Sequence, residues 1–317
     1  MKRIIILNTP EVPIFGTHLF HVKKLCEGFK WNGIDVIEIN TLESLYSINL
    51  NDKDFVYLSN YIINRTDDPI FSTCVKSNDL IEKLFNYFFE TKCIPIFWFW
   101  HSFIDNQLMS ILHNRYILTG EHFRSKPQSL SHLKAWDLQN KIHNYVPSTF
   151  SAAIHPDKIG TFTRNKKSLS NFVGCSYKTE WLNKLMLRDN EVHSILITPP
   201  FISEEKRVNS FLDSVTSLGF HAEANITNNV VVERVFEGLA YGNVVISDNP
   251  CCTNMTDGII EYVNSYESLI DLIHKAWYNK DYRINKQEMG MKWCKQYGTY
   301  KPVAYNFIQK ADEINVY

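Results

Sequence analysis

The chain has 317 residues, 44% of them hydrophobic and 21% charged, with a formal net charge of −1. That length suits two domains of about 150 residues each better than one core. The balanced charge excludes a global positive field for a polyanion such as DNA or RNA, and no run of about 20 apolar residues offers a membrane span.

Reading along the chain, Met1-Lys2-Arg3 precedes the apolar run Ile4–Leu7. That run is too short for a signal-peptide core and predicts a buried first strand. After a loop with Pro10, Pro13 and Gly16, residues Leu19, Val22, Leu25, Cys26 and Phe29 recur at helical spacing over His18–Lys30. Asn32-Gly33 then marks a turn and Asp35–Ile39 a second strand, giving one βαβ unit and therefore a parallel sheet. Strands are expected at Phe55–Leu58, Ile94–Trp100 and Tyr116–Thr119, with helices over Leu80–Glu90 and His132–His143. Polar residues around Pro156 to Lys167 predict a linker.

The second half restarts the same alternation. Strands are expected at Leu169–Val173, Ser194–Thr198, Leu218–Ala222 and Asn243–Ser247. Helices are expected over Tyr177–Leu187, Glu204–Ser217, Asn229–Tyr241, Ser268–Tyr278 and Lys286–Tyr297. Gly242 is placed as a left-handed C-terminal cap. The tail from Tyr300, with Val303, Phe307, Ile308 and Ala311, predicts a last helix. The fold class is α/β, with two doubly wound Rossmann-like domains: residues 1–155 on the acceptor side, 156–299 binding a nucleotide, and 300–317 returning to the first domain. Two such domains would face each other across a cleft, with ligands at the C-terminal edges of the strands.

Seven cysteines are scattered along the chain without a CxxC pair. Free thiols in a reducing, cytoplasmic compartment are expected, and no zinc site.

The segment from Asn229 to Asp248 carries the most chemistry. Arg234 and Glu237, three residues apart, share a face of a helix whose other face is apolar. An arginine pairs with phosphate oxygens and a carboxylate accepts from ribose hydroxyls. Gly242 then turns the chain into an apolar strand. The Arg234-x-x-Glu237-Gly-Leu-Ala-x-Gly242 run resembles the nucleotide-sugar signature of GT-B glycosyltransferases. The resemblance implies that Arg234 binds the diphosphate and Glu237 the ribose of a nucleotide diphosphate sugar. Glu237 is expected on a solvated face.

A second stretch, Phe172-Val173-Gly174-Cys175-Ser176-Tyr177-Lys178, reads as strand, glycine and helix start, a site where N–H groups and dipole favour phosphate. It is similar to the phage DNA glucosyltransferases at their glycine turn, which implicates Gly174 and Lys178. The signature run is also similar to that of fucosyltransferases. Asn229 stands where many retaining GT-B enzymes carry a second acidic residue, so retention and inversion both stay open. His221 and Asn225, in the loop before the signature helix, are expected to face the donor sugar.

An inverting transfer needs a base for the acceptor hydroxyl. His101, Asp105 and Glu121 follow predicted strands of the first domain and are the candidates, with His18 a further one. The cluster Phe97-Trp98-Phe99-Trp100 reads as core. The GT-B resemblance implies no required metal and no cofactor beyond the donor. The leading expectation is a glycosyltransferase acting on a glycan, lipid-linked or small-molecule hydroxyl. The alternatives are a DNA-modifying glucosyltransferase, an epimerase of the same fold, and a catalytically silent nucleotide-binding protein.

Overall fold

In a computed structural model the described residues are 2–7, 16–59, 78–99, 111–113, 115–120, 144–147, 151–161, 166–174, 178–188, 193–197 and 203–316. The chain divides into two units. The first comprises Met1–Glu121, Pro127–Ser148 and Val303–Tyr317; the second comprises His122–Lys126 and Thr149–Pro302.

The first unit is built on β1 (Arg3–Leu7), β2 (Asp35–Ile39), β3 (Asp54–Ser59), β4 (Ile94–Phe99), β5 (Ile117–Gly120) and β6 (Tyr145–Pro147). All six pair in parallel, in the order β2-β1-β3-β4-β5-β6. The helices α1 (Gly16–Lys30), α2 (Leu42–Tyr46) and α3 (Asn78–Thr91) alternate with these strands. Burial on both faces explains why β1, β3 and β4 read as continuous apolar runs. Phe85 and Phe88 of α3 are fully buried, and Phe85 stacks on Phe97 of β4 at 5.3 Å between centroids. Asp54, the one buried acid among the described residues of this unit, is matched by Arg3, whose Nε donates to it at 2.9 Å.

The second unit holds β7 (Ser168–Gly174), β8 (His193–Ile197), β9 (Ser214–Gly219), β10 (Val244–Ser247) and β11 (Glu261–Tyr262). These too are parallel, in the order β11-β10-β9-β7-β8. Between and after them run α4 (Thr179–Arg188), α5 (Glu204–Asp213), α6 (Glu223–Thr227), α7 (Glu233–Ala240), α8 (Pro250–Met255), α9 (Tyr266–Tyr278), α10 (Lys280–Tyr297) and α11 (Tyr300–Val316). From Val303 onward α11 belongs to the first unit, where Phe307 lies 6.0 Å from Phe29.

Two expectations for this unit are corrected. The helix expected over Glu204–Ser217 ends at Asp213, and Ser214–Gly219 is a strand that replaces the one expected at Leu218–Ala222. The carbonyls of Phe211 and Ser214 are taken by the Asn243 amide at 2.9 and 2.5 Å, which closes the helix from outside. The helix expected from Asn229 begins at Glu233. Asn229 is left-handed, with φ of 56°, the β-branched run Val230–Val232 stays outside the helix, and Val232 is extended. The short helix α6 occupies part of the stretch read as loop. Gly242 is left-handed as expected, with φ of 67°. Gly238 lets α7 lie directly on the sheet, because a Cβ there would sit 2.8 Å from Ser217 and Val245 side-chain atoms.

Candidate functional site

The candidate site gathers at the C-terminal end of the second sheet. Residues Phe220 and His221 follow β9 directly, Gly174 ends β7, and α7 lies beside them. Arg234, in the first turn of α7, reaches back over this edge. Its Nη1 donates to the Phe220 carbonyl at 2.5 Å, and its guanidinium carbon lies 4.9 Å from the centroid of the Phe172 ring. The same guanidinium covers the Cα of Gly174, where any Cβ would overlap it. With φ of 145°, Gly174 also holds a backbone shape that other residues resist. The structure thus brings Gly174 and Arg234 into contact.

Glu237 is placed differently from the sequence expectation. It is 4% exposed rather than solvated, and its Oε1 forms an ion pair with Nη1 of Arg207 from α5. The physical reason is the packing of α5 against the same sheet face. Ser210 and Phe211 of α5 are buried, and Phe211 stacks on Tyr241, one residue beyond α7, at 5.6 Å. Burial raises the Tyr241 hydroxyl pKa, while Arg207 acts in the opposite direction. Arg207 was not singled out in the sequence, where Glu204 and Arg207 look like an ordinary surface pair.

Lys178 precedes α4 with φ of 58° and is exposed. Its ammonium lies 4.8 Å from the Trp181 ring centroid rather than against Arg234. Asn225 sits in α6, and its carbonyl accepts the Val230 N–H at 2.9 Å. His221, expected to face the donor sugar, is instead buried, its ring turned inward to Asp248 and the Val232 N–H. Its Nδ1 lies 3.1 Å from Asp248 Oδ1, which also accepts the His221 backbone N–H at 3.0 Å. Its Nε2 accepts the Val232 N–H at 3.4 Å, and the Cys252 thiol lies 3.8 Å away. Burial lowers the His221 pKa, opposed by Asp248 and assisted by Arg234. Asn249, a neighbour of Asp248, donates from Nδ2 to the Val230 carbonyl at 3.1 Å. Asp248 and Asn249 were likewise missed, because a strand-ending Asp-Asn pair reads as a turn.

His101, Asp105 and Glu121 lie outside the described residues, and for His18 only its place in α1 is described. Among the described residues no group of three or more His, Cys, Asp or Glu side chains is arranged to hold a metal ion, and no helix is long and apolar enough to cross a membrane. Cys26, Cys93, Cys251, Cys252 and Cys294 are buried free thiols.

No protein-family model and no curated protein matches the chain. Solved structures do resemble it. A structure described as trehalose-6-phosphate from E. coli bound with UDP-2-fluoro glucose aligns over 98% of this chain and 99% of its own, with a TM-score of 0.53 and 8% identity. A UDP-forming α,α-trehalose-phosphate synthase from Burkholderia xenovorans aligns over 95% of this chain and 80% of its own, with a TM-score of 0.51 and 7% identity. The synthase from Burkholderia multivorans gives 0.52 and 8%, over 96% of this chain and 78% of its own. At such low identity the likeness shows the fold: two parallel α/β units of the GT-B type.

Proposed function

We propose that the protein transfers a sugar from a nucleotide diphosphate sugar to a hydroxyl acceptor. The observation that carries this reading is Arg234. A guanidinium lies at the C-terminal edge of a parallel sheet, over a glycine that has no side chain to obstruct approach. In this reading the acceptor oxygen forms a bond to the anomeric carbon and the carbon–phosphate-oxygen bond breaks. The electron pair leaves with the nucleoside diphosphate, and Arg234 meets the negative charge that develops there. Glu237, aligned by Arg207, accepts from the ribose hydroxyls. Gly174, Lys178 and Asn225 complete the donor side, with Lys178 adding positive charge ahead of α4.

The acceptor proton goes to a base proposed among His101, Asp105 and Glu121. A histidine has the ordinary pKa best suited to the task. The nucleotide to try first is UDP, because the similar structures are described as UDP-forming or as bound to a UDP sugar. The test is to incubate the protein with UDP-glucose, other UDP sugars and GDP sugars and to follow nucleoside diphosphate release. Slow release without an acceptor, abolished in Arg234→Ala, is expected. No release and no binding across the panel would refute the proposal.

A further inference from the structure

The end of β9 holds α7 through two devices. One is the Phe220 carbonyl, which accepts from the Arg234 guanidinium. The other is the ring of the next residue, His221, whose Nε2 accepts the N–H of Val232. Val232 is the N-cap residue of α7, and it supplies no side-chain cap of its own. The N–H groups at the start of a helix have no partner inside it, so the imidazole takes over part of the capping. Nε2 can accept only if it carries no proton. The ring proton must then sit on Nδ1, facing Asp248 Oδ1 at 3.1 Å. Asp248 also holds the His221 backbone N–H, which fixes ring and main chain together.

The segment leading into α7 is held from the same side. Asn249 donates to the Val230 carbonyl, and the Cys251 thiol donates to the Asn229 carbonyl at 3.6 Å. Among the described residues, the charged and titratable groups acting on the ring are Asp248, Arg234 and Cys252.

We infer that His221 is a positioning residue for the donor site: its neutral ring, oriented by Asp248, fixes Val232 and so sets where the first turn of α7 presents Arg234. This rests on the function proposed above. The ring acts through the backbone, because its side chain has no exposed surface with which to touch a ligand. A proton on Nε2 would set two donors against each other and release Val232.

The test is UDP-glucose affinity against pH. A nucleotide sugar serves better than UDP, because it lacks the terminal phosphate that titrates near pH 6. Burial holds the ring's pKa below the usual histidine range, so wild-type affinity should stay constant from about pH 7.5 to about pH 6.5 and fall by up to about tenfold, the scale of losing one helix cap, as the folded ring takes its proton at lower pH. His221→Gln places a non-titrating amide oxygen near the position of Nε2, and should keep its affinity within about twofold across that range. His221→Ala should be about tenfold weaker than wild type at about pH 7.5, with a flat profile. Wild-type affinity and the wild-type profile in His221→Ala would overturn the inference.

Hydrogen exchange of the peptide 228–236 without ligand separates this claim from the proposed function. Faster exchange in His221→Ala, restored in His221→Gln, is expected even if UDP-glucose fails to bind the wild type. Equal exchange in all three proteins would overturn the positioning role on its own.

Discussion

The two sheets share a parallel plan and differ in what they bury. The first unit fills β1, β3 and β4 with Ile, Val, Leu and Phe, and matches the buried acid Asp54 with Arg3. The second unit buries Ser168, Ser170 and Asn171 on β7 and Ser214, Thr216 and Ser217 on β9. Its C-terminal edge adds His221, Glu237, Asp248 and Asn249, all buried. Buried polar groups are unfavourable unless they find partners, and many here do. The contrast separates a sheet whose interior serves stability from one whose interior also fixes a polar constellation beside Arg234.

The largest expected effect tests the apolar half. Phe97→Ala removes a fully buried ring from its stack on Phe85 and should lower stability by about 3–5 kcal/mol. Nucleotide affinity of the protein that remains folded should not change. Urea unfolding and calorimetric titration read the two quantities, and a parallel loss of affinity would blur the comparison.

Glu237→Ala should act on both quantities. It leaves the Arg207 charge poorly solvated in a mostly buried position and should lower stability by about 3 kcal/mol. It should also weaken nucleotide binding. The double variant Arg207→Met/Glu237→Leu should recover most of the stability and none of the affinity. Recovery of both would assign the pair a purely structural part.

Acidification comes next. Burial depresses the folded-state pKa of His221 below its unfolded value of about 6.5. The unfolded chain therefore binds the proton first as pH falls. The stabilisation is fully present above about pH 6.5 and declines by about 1.4 kcal/mol per pH unit below it, until the folded-state pKa is passed. The difference between wild type and His221→Gln in urea unfolding at each pH isolates this residue. A constant difference from about pH 7.5 to pH 5 would contradict it.

The smallest effect has the opposite sign. The side-chain amide of Asn171 is fully buried, and neither its oxygen nor its nitrogen has a hydrogen-bond partner among the described residues. Asn171→Leu should raise stability by about 1 kcal/mol, since an unsatisfied buried amide is removed. A loss of stability would mean that this amide is better satisfied than the described contacts indicate.

The fold was legible where burial is apolar. Ile4–Leu7, Asp35–Ile39 and Ile94–Trp100 stand out as runs of apolar or β-branched residues, and the strands Arg3–Leu7, Asp35–Ile39 and Ile94–Phe99 lie on them. It was less legible where burial is polar. Ser214-Val-Thr-Ser217 reads as the tail of an amphipathic helix, because nothing local shows that Asn243, some 30 residues on, will take the helix-end carbonyls. The signature Arg234-x-x-Glu237 was visible as two charges one turn apart. What could not be seen was that Arg207 would bury Glu237, or that the His221 ring would turn inward to a backbone N–H. Both depend on contacts between residues 11 to 30 positions apart. The acceptor-side candidates His101, Asp105 and Glu121 rest on sequence chemistry alone.

The most direct measurement of the central claim is calorimetric titration of UDP and uridine into wild type and Arg234→Ala. The account predicts that wild type binds UDP far more tightly than uridine. It predicts that the substitution weakens UDP by about 100-fold, the scale of two charge-assisted hydrogen bonds to phosphate, and leaves uridine nearly unchanged. Equal losses for both ligands, or wild-type UDP affinity in the variant, would contradict it.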